Sequence, residues 1–260
     1  NLTGAHFSYA NLSHADFSEA ILDGAIFTNA TIENAIFDKA SMQRVNLNHQ
    51  SIKSTSFKSA ILTESSLEGI HVSDNTSMQN AIMTSCNLSY SDFEKINLAF
   101  VTFENAQILS AYLCGCNLQG ANLSQADLSD SHLRHADLNN SILRKAILDN
   151  ADISGADLTN ADLRGAYLTH TTLYHANLYK VKADQHMFNS AIFDSDDWTH
   201  WEIEYPNITN SNEASQVENT SILADLYWIP GDDGSRINWC ELKIYEKLCT
   251  DFEESDEPYE

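Results

Sequence analysis

A five-residue period constrains this chain more than any other feature of its sequence. From Leu2 to Val72 every fifth residue is apolar, and after a single six-residue step the series resumes at Met78 and runs to Trp198. None of these central positions is polar, and the position two residues before each is most often alanine. Neither the helical period of 3.6 nor the strand period of 2 produces such a pattern. A chain that turns a corner every five residues does, with both sites pointing inward.

Glycine and asparagine mark the corners. All seven glycines before residue 198 lie two residues after a central position, and asparagines share that slot, among them Asn29, Asn34, Asn105, Asn140, Asn150 and Asn160. A corner needs the backbone freedom that these two residue types have. All three prolines lie beyond residue 198, as expected where backbone N–H groups are needed for ladders between coils.

The repeat resembles the pentapeptide-repeat family, whose pattern A(D/N)LXX occurs in Ala121-Asn122-Leu123, Ala126-Asp127-Leu128, Ala136-Asp137-Leu138, Ala156-Asp157-Leu158 and Ala161-Asp162-Leu163. The resemblance implies a right-handed, four-sided β-helix with twenty residues per coil. We therefore expect an all-β solenoid of about ten coils over residues 1–198, on the order of 50 Å long at about 4.8 Å per layer. Phenylalanines twenty residues apart are expected to stack in its core.

The composition changes near residue 198, because all four tryptophans lie at or beyond it. We predict a linker or cap over residues 199–211, a helical segment over 212–252 with helices at 212–228 and 237–252 and a turn at 230–234, and an acidic tail over 253–260. The tail is either a linear motif for a basic partner or a solvated end. The chain begins inside the repeat, so we expect further residues upstream that cap the first coil, or else an edge that pairs with another molecule.

Charge and motif content exclude several classes of function. The formal net charge of -23, from 37 acidic and 14 basic side chains, argues against direct binding to nucleic acid. The apolar stretches are too short to span a bilayer. We expect no catalysis, cofactor or metal site, because no G-x-S-x-G, phosphate-loop, HExxH or CxxC pattern occurs. Cys86 and Cys116 fall on inward sites and are expected to be buried thiols. The five cysteines suggest no framework of disulfide pairs, which favours a reducing compartment.

Five side chains fit the small inward site poorly: Gln50, Ile70, Ile96, His186 and Asp196. We interpret the last two as marking a distorted final coil. The six-residue step over residues 73–77, with Asp74 and Asn75 at its centre, is either a tolerated corner bulge or a loop that binds a partner.

Outward positions supply the other candidate partner-binding residues. Ile21 and Ile61 are expected to share a face, and so are Ile82 and Ile142; these isoleucines either suit a strand or form a protein-binding patch. Arg144 and Arg164 are expected to stack on one face. Asp137 and Asp157 should form a short acidic stripe flanked by Asn117 and Asn177.

The favoured function is a non-enzymatic module that presents the side of a rigid β-helix to another protein, within the cytoplasm or, for a bacterial effector, a host cell. The resemblance also implies an alternative, an acidic DNA mimic that binds a type II topoisomerase and dimerises through its C-terminal end. The charge distribution weakens it: residues 1–198 hold 22 acidic and 11 basic side chains, and residues 199–260 hold 15 and 3. A homodimer is left open, and the partner's identity is not encoded in any motif.

Overall fold

The structure is a computed structural model that describes residues 1–73, 75–184, 187–188 and 190–193, together with three short strands farther along the chain. The elements in chain order are β1 (Ser51–Lys53), β2 (His71–Ser73), β3 (Val181–Lys182), β4 (Ile203–Glu204), β5 (Ile229–Pro230) and β6 (Arg236–Ile237). The chain divides into two units, Asn1–Asp184 with Ser190–Glu204, and Gln185–Asn189 with Tyr205–Glu260.

Parallel pairing between residues twenty apart builds the first unit. Ile21 pairs with Ser41 and Ser41 with Ile61, for example, and β1 pairs in parallel with β2 in the register Ser51↔His71. Hydrogen bonds run in both directions, as when the Leu22 amide donates to Ser41 O at 2.7 Å. Most sides contribute a single paired residue per coil, because the chain turns again after five residues.

Each corner is a tight turn closed by its own hydrogen bond. The Ala25 amide donates to Leu22 O at 2.9 Å, and the intervening Gly24 has a φ of +64°. Positive φ recurs two residues after the central positions, at the slots that the sequence assigned to corners. A positive φ at the third residue is the pattern of a type II turn. Most of these corners hold residues other than glycine.

The interior is filled by side chains. Central residues from Leu22 to Leu178 are almost all buried, and so are the alanines that precede them by two positions. Phe37 stacks between Phe17 and Phe57, with ring centroids 5.2 and 5.1 Å away, which confirms the expected aromatic ladder. Gln50 enters the interior by donating from Nε2 to Phe27 O at 2.7 Å, while Ile70 and Ile96 are simply buried.

The six-residue step changes the pairing distance from twenty to twenty-one residues. Ser56 pairs with Ser77 and Ile61 with Ile82, whereas Ile82 pairs again with the residue twenty positions on, Thr102. Ile21 and Ile61 therefore share a side, and so do Ile82 and Ile142, as expected, and the changed register also joins the two pairs. Because one corner absorbs the extra residue, all four isoleucines lie on one side. We call this side, with the paired column Ile21, Ser41, Ile61, Ile82, Thr102, Asn122, Ile142, Asp162 and Lys182, the isoleucine face.

Beyond Lys182 the described pairing continues through β4, whose residues Ile203 and Glu204 pair in parallel with Val181 and Lys182. In the second unit, β5 and β6 pair antiparallel in the register Ile229↔Ile237. Ile237, the first residue of the predicted helix over 237–252, lies in β6, where its β-branched side chain suits a strand. Residues 212–228 and 238–260, His186 and Asp196 lie outside the described residues, as does the turn after Pro230. Within the described part, no helix is long and apolar enough to cross a membrane.

Candidate protein-binding surface

A recess of about 510 Å³ opens on the side of the coil stack where the extra residue is inserted. We call it the insertion recess. It is lined by His71, Val72, Ser73, Asn75, Thr76, Asp92, Glu94, Lys95, Ile96 and Asn97. Asn75, predicted as a binding residue, is part of this lining, and Asp74 lies outside the described residues.

Hydrogen bonds fix the chain where it returns from the insertion to the core. Thr76 occupies a small inward site and is 5% exposed. Its hydroxyl donates to Ser73 O at 2.9 Å, which closes the inserted loop, and accepts from the Thr55 amide at 3.3 Å. The wall of the recess is therefore anchored to the preceding coil.

The lining of the recess carries ionisable side chains that are paired by hydrogen bonds. His71 Nδ1 donates to Asp92 Oδ2 at 2.9 Å, and Asp92 Oδ1 accepts from the Glu94 amide at 3.0 Å. Lys95 Nζ lies 2.7 Å from Glu94 Oε1, a hydrogen bond that raises the pKa of Lys95. These side chains are largely exposed, so the recess offers both donors and acceptors to an incoming group.

The same side of the molecule continues above the recess as a column of polar and aromatic residues, which we call the histidine face. His71, Asp92, Tyr112, His132 and Asp152 follow one another in register. The ring of Tyr112 stacks on that of His132 at 5.0 Å, and Tyr112 remains 52% exposed. An exposed aromatic beside a recess is a common anchor in protein interfaces.

The apolar residues of the isoleucine face do not form a continuous stripe. Ile61 and Ile82 are direct neighbours, but Ser41 separates them from Ile21. Thr102 and Asn122 separate them from Ile142 in turn. The contiguous apolar patch is therefore one pair.

Farther along that face, Asp162 holds two arginines side by side. Arg144 Nε lies 2.6 Å from Asp162 Oδ2, and Arg164 donates from Nε and NH2 to the two carboxylate oxygens at 2.8 and 2.6 Å. Burial opposes ionisation of Asp162, but these hydrogen bonds prevail and lower its pKa to about 2. Arg144 and Arg164 therefore lie side by side, as predicted, and the Asp162 carboxylate between them bonds to both.

Asp137 and Asp157 are neighbours on a third side, in the column Asn97, Asn117, Asp137, Asp157 and Asn177, which we call the asparagine face. Both carboxylates are engaged by their own turns: Asp137 accepts from the Asn139 amide and Asp157 from the Thr159 amide, each at 3.0 Å. The Asn177 side chain also donates to Asp157 at 3.1 Å. The acidic stripe is two residues long.

Two buried thiols lie inside the stack. Cys86 and Cys116 donate to Leu62 O and Phe93 O at 2.8 Å, and burial raises the pKa of each thiol to about 12. No group of three or more metal-ligating side chains occurs among the described residues.

Several residues of the insertion recess were not foreseen. His71, Asp92, Glu94 and Lys95 come from two successive coils, and only their register brings them together. The available signal was spacing: His71 and Asp92 are 21 residues apart across the six-residue step. Counting the inserted residue into the coil length would have paired them.

Comparison with known proteins identifies the repeat. Eight copies of the pentapeptide-repeat family model match residues 1–38, 81–120, 106–145 and 146–182, more than half of the chain. No curated protein matches.

Solved structures with similarity include HetL, a pentapeptide repeat protein involved in heterocyst differentiation regulation from the cyanobacterium Nostoc sp. strain PCC 7120. It is 23% identical, with a TM-score of 0.33 over 74% of this chain and 91% of HetL. QnrB1, a plasmid-mediated fluoroquinolone resistance protein, is 15% identical, with a TM-score of 0.43 over 68% of this chain and 90% of QnrB1. Rfr23 from the cyanobacterium Cyanothece 51142 is 31% identical over 44% of this chain and 64% of Rfr23, with a TM-score of 0.21.

The five-residue repeat, its paired coils and its corner geometry agree with the matched family model. Members of that family fold as right-handed quadrilateral β-helices and are in general non-enzymatic interaction scaffolds. This chain belongs to the pentapeptide-repeat family.

Proposed function

We propose that this protein is a non-enzymatic scaffold that binds a segment of another protein in the insertion recess. The observation that carries the proposal is the recess itself, about 510 Å³ in volume and located where the repeat departs from regularity. Insertions in a solenoid frequently supply its binding face. Because the interior of the stack is filled by side chains, a partner protein can bind only on the outer surface.

The chemistry of the recess suits a polypeptide better than an apolar small molecule. Pockets for small molecules are lined mainly by apolar groups, whereas here His71, Asp92, Glu94 and Lys95 supply charged and hydrogen-bonding groups. Tyr112, exposed on the histidine face next to Asp92, adds an aromatic surface for a side chain of the partner. An anchored wall also reduces the entropy lost on binding.

The proposal is tested by capturing the partner at the recess and then removing the recess. A photo-crosslinking amino acid placed at Glu94 should capture a protein in a lysate of the source cell. The same group at Gln125, which is exposed at another corner, should not. The captured protein is identified by mass spectrometry, purified, and its affinity measured for the parent chain.

Deleting Asn75 converts the six-residue step into the regular five and serves as the decisive variant. We expect this deletion to weaken partner binding at least tenfold, while circular dichroism shows the same β-structure. Equal binding by the deletion variant, or equal capture at Glu94 and Gln125, would contradict binding in the recess.

The alternative, an acidic mimic of DNA that binds a type II topoisomerase, is favoured by one observation, the adjacency of Asp137 and Asp157. Their carboxylates are engaged by their own turns, and two arginines lie on the isoleucine face. A gyrase supercoiling assay tests it, with light scattering to measure mass. Inhibition by a dimer that is lost in Asp137→Asn/Asp157→Asn would replace the scaffold proposal. No effect from a monomer would rule the mimic out.

A further inference from the structure

Five basic side chains of this acidic chain form a group near the upper end of the isoleucine face. Residues 1–198 contain eleven lysines and arginines, and five of them lie on the upper isoleucine face or at its two corners. We call this group the basic strip; it consists of Arg144, Lys145, Arg164, Lys180 and Lys182. Asp162 and Asp184 are the acidic residues within the same coil segments. The strip therefore carries net positive charge on a protein whose formal net charge is -23.

Asp162 acts as a buttress for the strip. It is 8% exposed and bonds to both Arg144 and Arg164, which fixes the two guanidinium groups beside each other. A guanidinium has five N–H donors. Arg144 donates to Asp162 through Nε, and its side chain is 54% exposed, so much of it remains accessible to a partner. A preorganised guanidinium of this kind binds carboxylates well.

Two lysines extend the strip sideways. The side chain of Lys145 lies over Gly165, with Cγ 3.1 Å from where a Cβ at that glycine would stand. Because Gly165 has no Cβ, the Lys145 side chain can lie in this position. On the other corner, Lys180 Nζ lies 5.2 Å from the centroid of the Tyr179 ring. Lys145 makes no ion pair with any described carboxylate.

We propose that the basic strip binds a short acidic segment of a partner protein, with Arg144 and Lys145 contacting its carboxylates. The strip spans the paired positions Ile142, Asp162 and Lys182, so it is about 10 Å tall at about 4.8 Å per layer. An extended segment of about three or four residues covers that height.

The neighbouring sides favour a peptide over nucleic acid. Asp137 and Asp157 lie on the asparagine face, which is the side next to the strip. A nucleic acid carries a charge at about every 1.7 Å of duplex, so its phosphates would extend past the strip and meet these carboxylates. A short acidic peptide avoids this repulsion. The inference is independent of the insertion recess, which involves a different corner of the stack.

Fluorescence anisotropy with the full chain tests the proposal. The probes are a labelled hexaglutamate peptide, a hexaglutamine peptide of the same length, and an oligothymidylate with six phosphates. The variant is Arg144→Gln/Lys145→Gln. It leaves both Arg164 bonds to Asp162 in place, and Gln125 occupies the corner slot one coil before Lys145 with the same positive φ. The matched control is Arg134→Gln, which removes an arginine paired with Asp152 on the histidine face.

We expect hexaglutamate to bind at least tenfold more tightly than hexaglutamine and to weaken as salt is added. The double variant should weaken it on the order of tenfold, the effect of two exposed ion pairs, and Arg134→Gln should leave it unchanged. Equal affinity for the two peptides, or equal loss in the control variant, would overturn the proposal. Tighter binding of the oligothymidylate would overturn it in favour of nucleic acid. Since none of these residues lines the recess, failure here leaves the test of the recess unaffected.

Discussion

Replacing Phe37 with leucine should lower local stability far more than the same substitution at Phe103, because Phe37 is held by other rings. Phe37 is fully buried, stacks with Phe17 and Phe57 at interplanar angles of 8° and 9°, and meets Phe27 edge-on at 6.0 Å. Phe103 is equally buried and has no ring neighbour among the described aromatic pairs. Leucine suits the site, since it holds the same inward position in later coils.

The magnitude follows from the three ring contacts. Each aromatic pair contributes about 0.5–1.5 kcal/mol beyond the burial of its area, so their loss costs about 3 kcal/mol. The lost apolar area is common to both substitutions and cancels in the comparison. The expected difference in the free energy of opening is therefore about 3 kcal/mol, equivalent to about a hundredfold in a local equilibrium constant.

Hydrogen exchange is the suitable assay, because a solenoid is stabilised by neighbouring repeats and opens locally. The Phe37 amide donates to Ser56 O and the Ser56 amide to Ala35 O, so both report on opening of these coils. Their acceleration in Phe37→Leu should exceed, by about a hundredfold, the acceleration of the amides near Phe103 in Phe103→Leu, while the Leu138 amide stays protected in Phe37→Leu. Equal acceleration for Phe37→Leu and Phe103→Leu, each near its own site, would refute the contribution of ring stacking.

Three further predictions concern single sites. Asp162 has a pKa of about 2 against an ordinary value of 3.8, so its ionised form should contribute about 2 kcal/mol to the free energy of unfolding above pH 4, and this contribution is lost as the pH falls toward 2. Urea unfolding of Asp162→Asn should lack this pH dependence. Parallel curves of stability against pH for the parent chain and the variant would contradict the pairing. Gly120→Ala should destabilise more than Gly24→Ala in thermal unfolding: both have positive φ, but only the added Cβ at Gly120 meets a ring, at 2.6 Å. At pH 8, Cys86 should resist alkylation because burial raises its pKa to about 12, while the half-buried Cys114 reacts; site-resolved mass spectrometry showing equal labelling would count against this.

Only part of the insertion recess could be predicted from the sequence. The six-residue step was visible, and it identified Asn75 as a candidate. The charged groups that make the recess a binding surface, Glu94 and Lys95, lie in the following coil. Which coil residues border an insertion depends on how the extra residue is accommodated, and this is a property of the stacked chain.

Of the two charged clusters, the pair of Asp137 and Asp157 was predictable from the sequence and the bonding of Arg144 and Arg164 to Asp162 was not. The neighbours Asp137 and Asp157 lie in coils of regular length, so counting by twenty predicted their contact. The bonds from Arg144 and Arg164 to Asp162 were missed, because aspartate is common at that outward position and its role depends on its side-chain partners. Burial between two guanidinium groups distinguishes Asp162 from the other repeat aspartates.

The sequence by itself determined the direction of each side chain and the place of each corner. A five-residue unit is local, and its inward sites must be apolar or small while its corner must accept positive φ. Only the tertiary structure decided which outward residues meet. The extra residue before Met78 is absorbed in one corner, so the coils on either side of it pair at a distance of twenty-one residues and later coils pair again at twenty. That is why Ile61 and Ile82 are neighbours on one face: contacts across a solenoid depend on the summed length of each coil, and not on the unit that repeats within it.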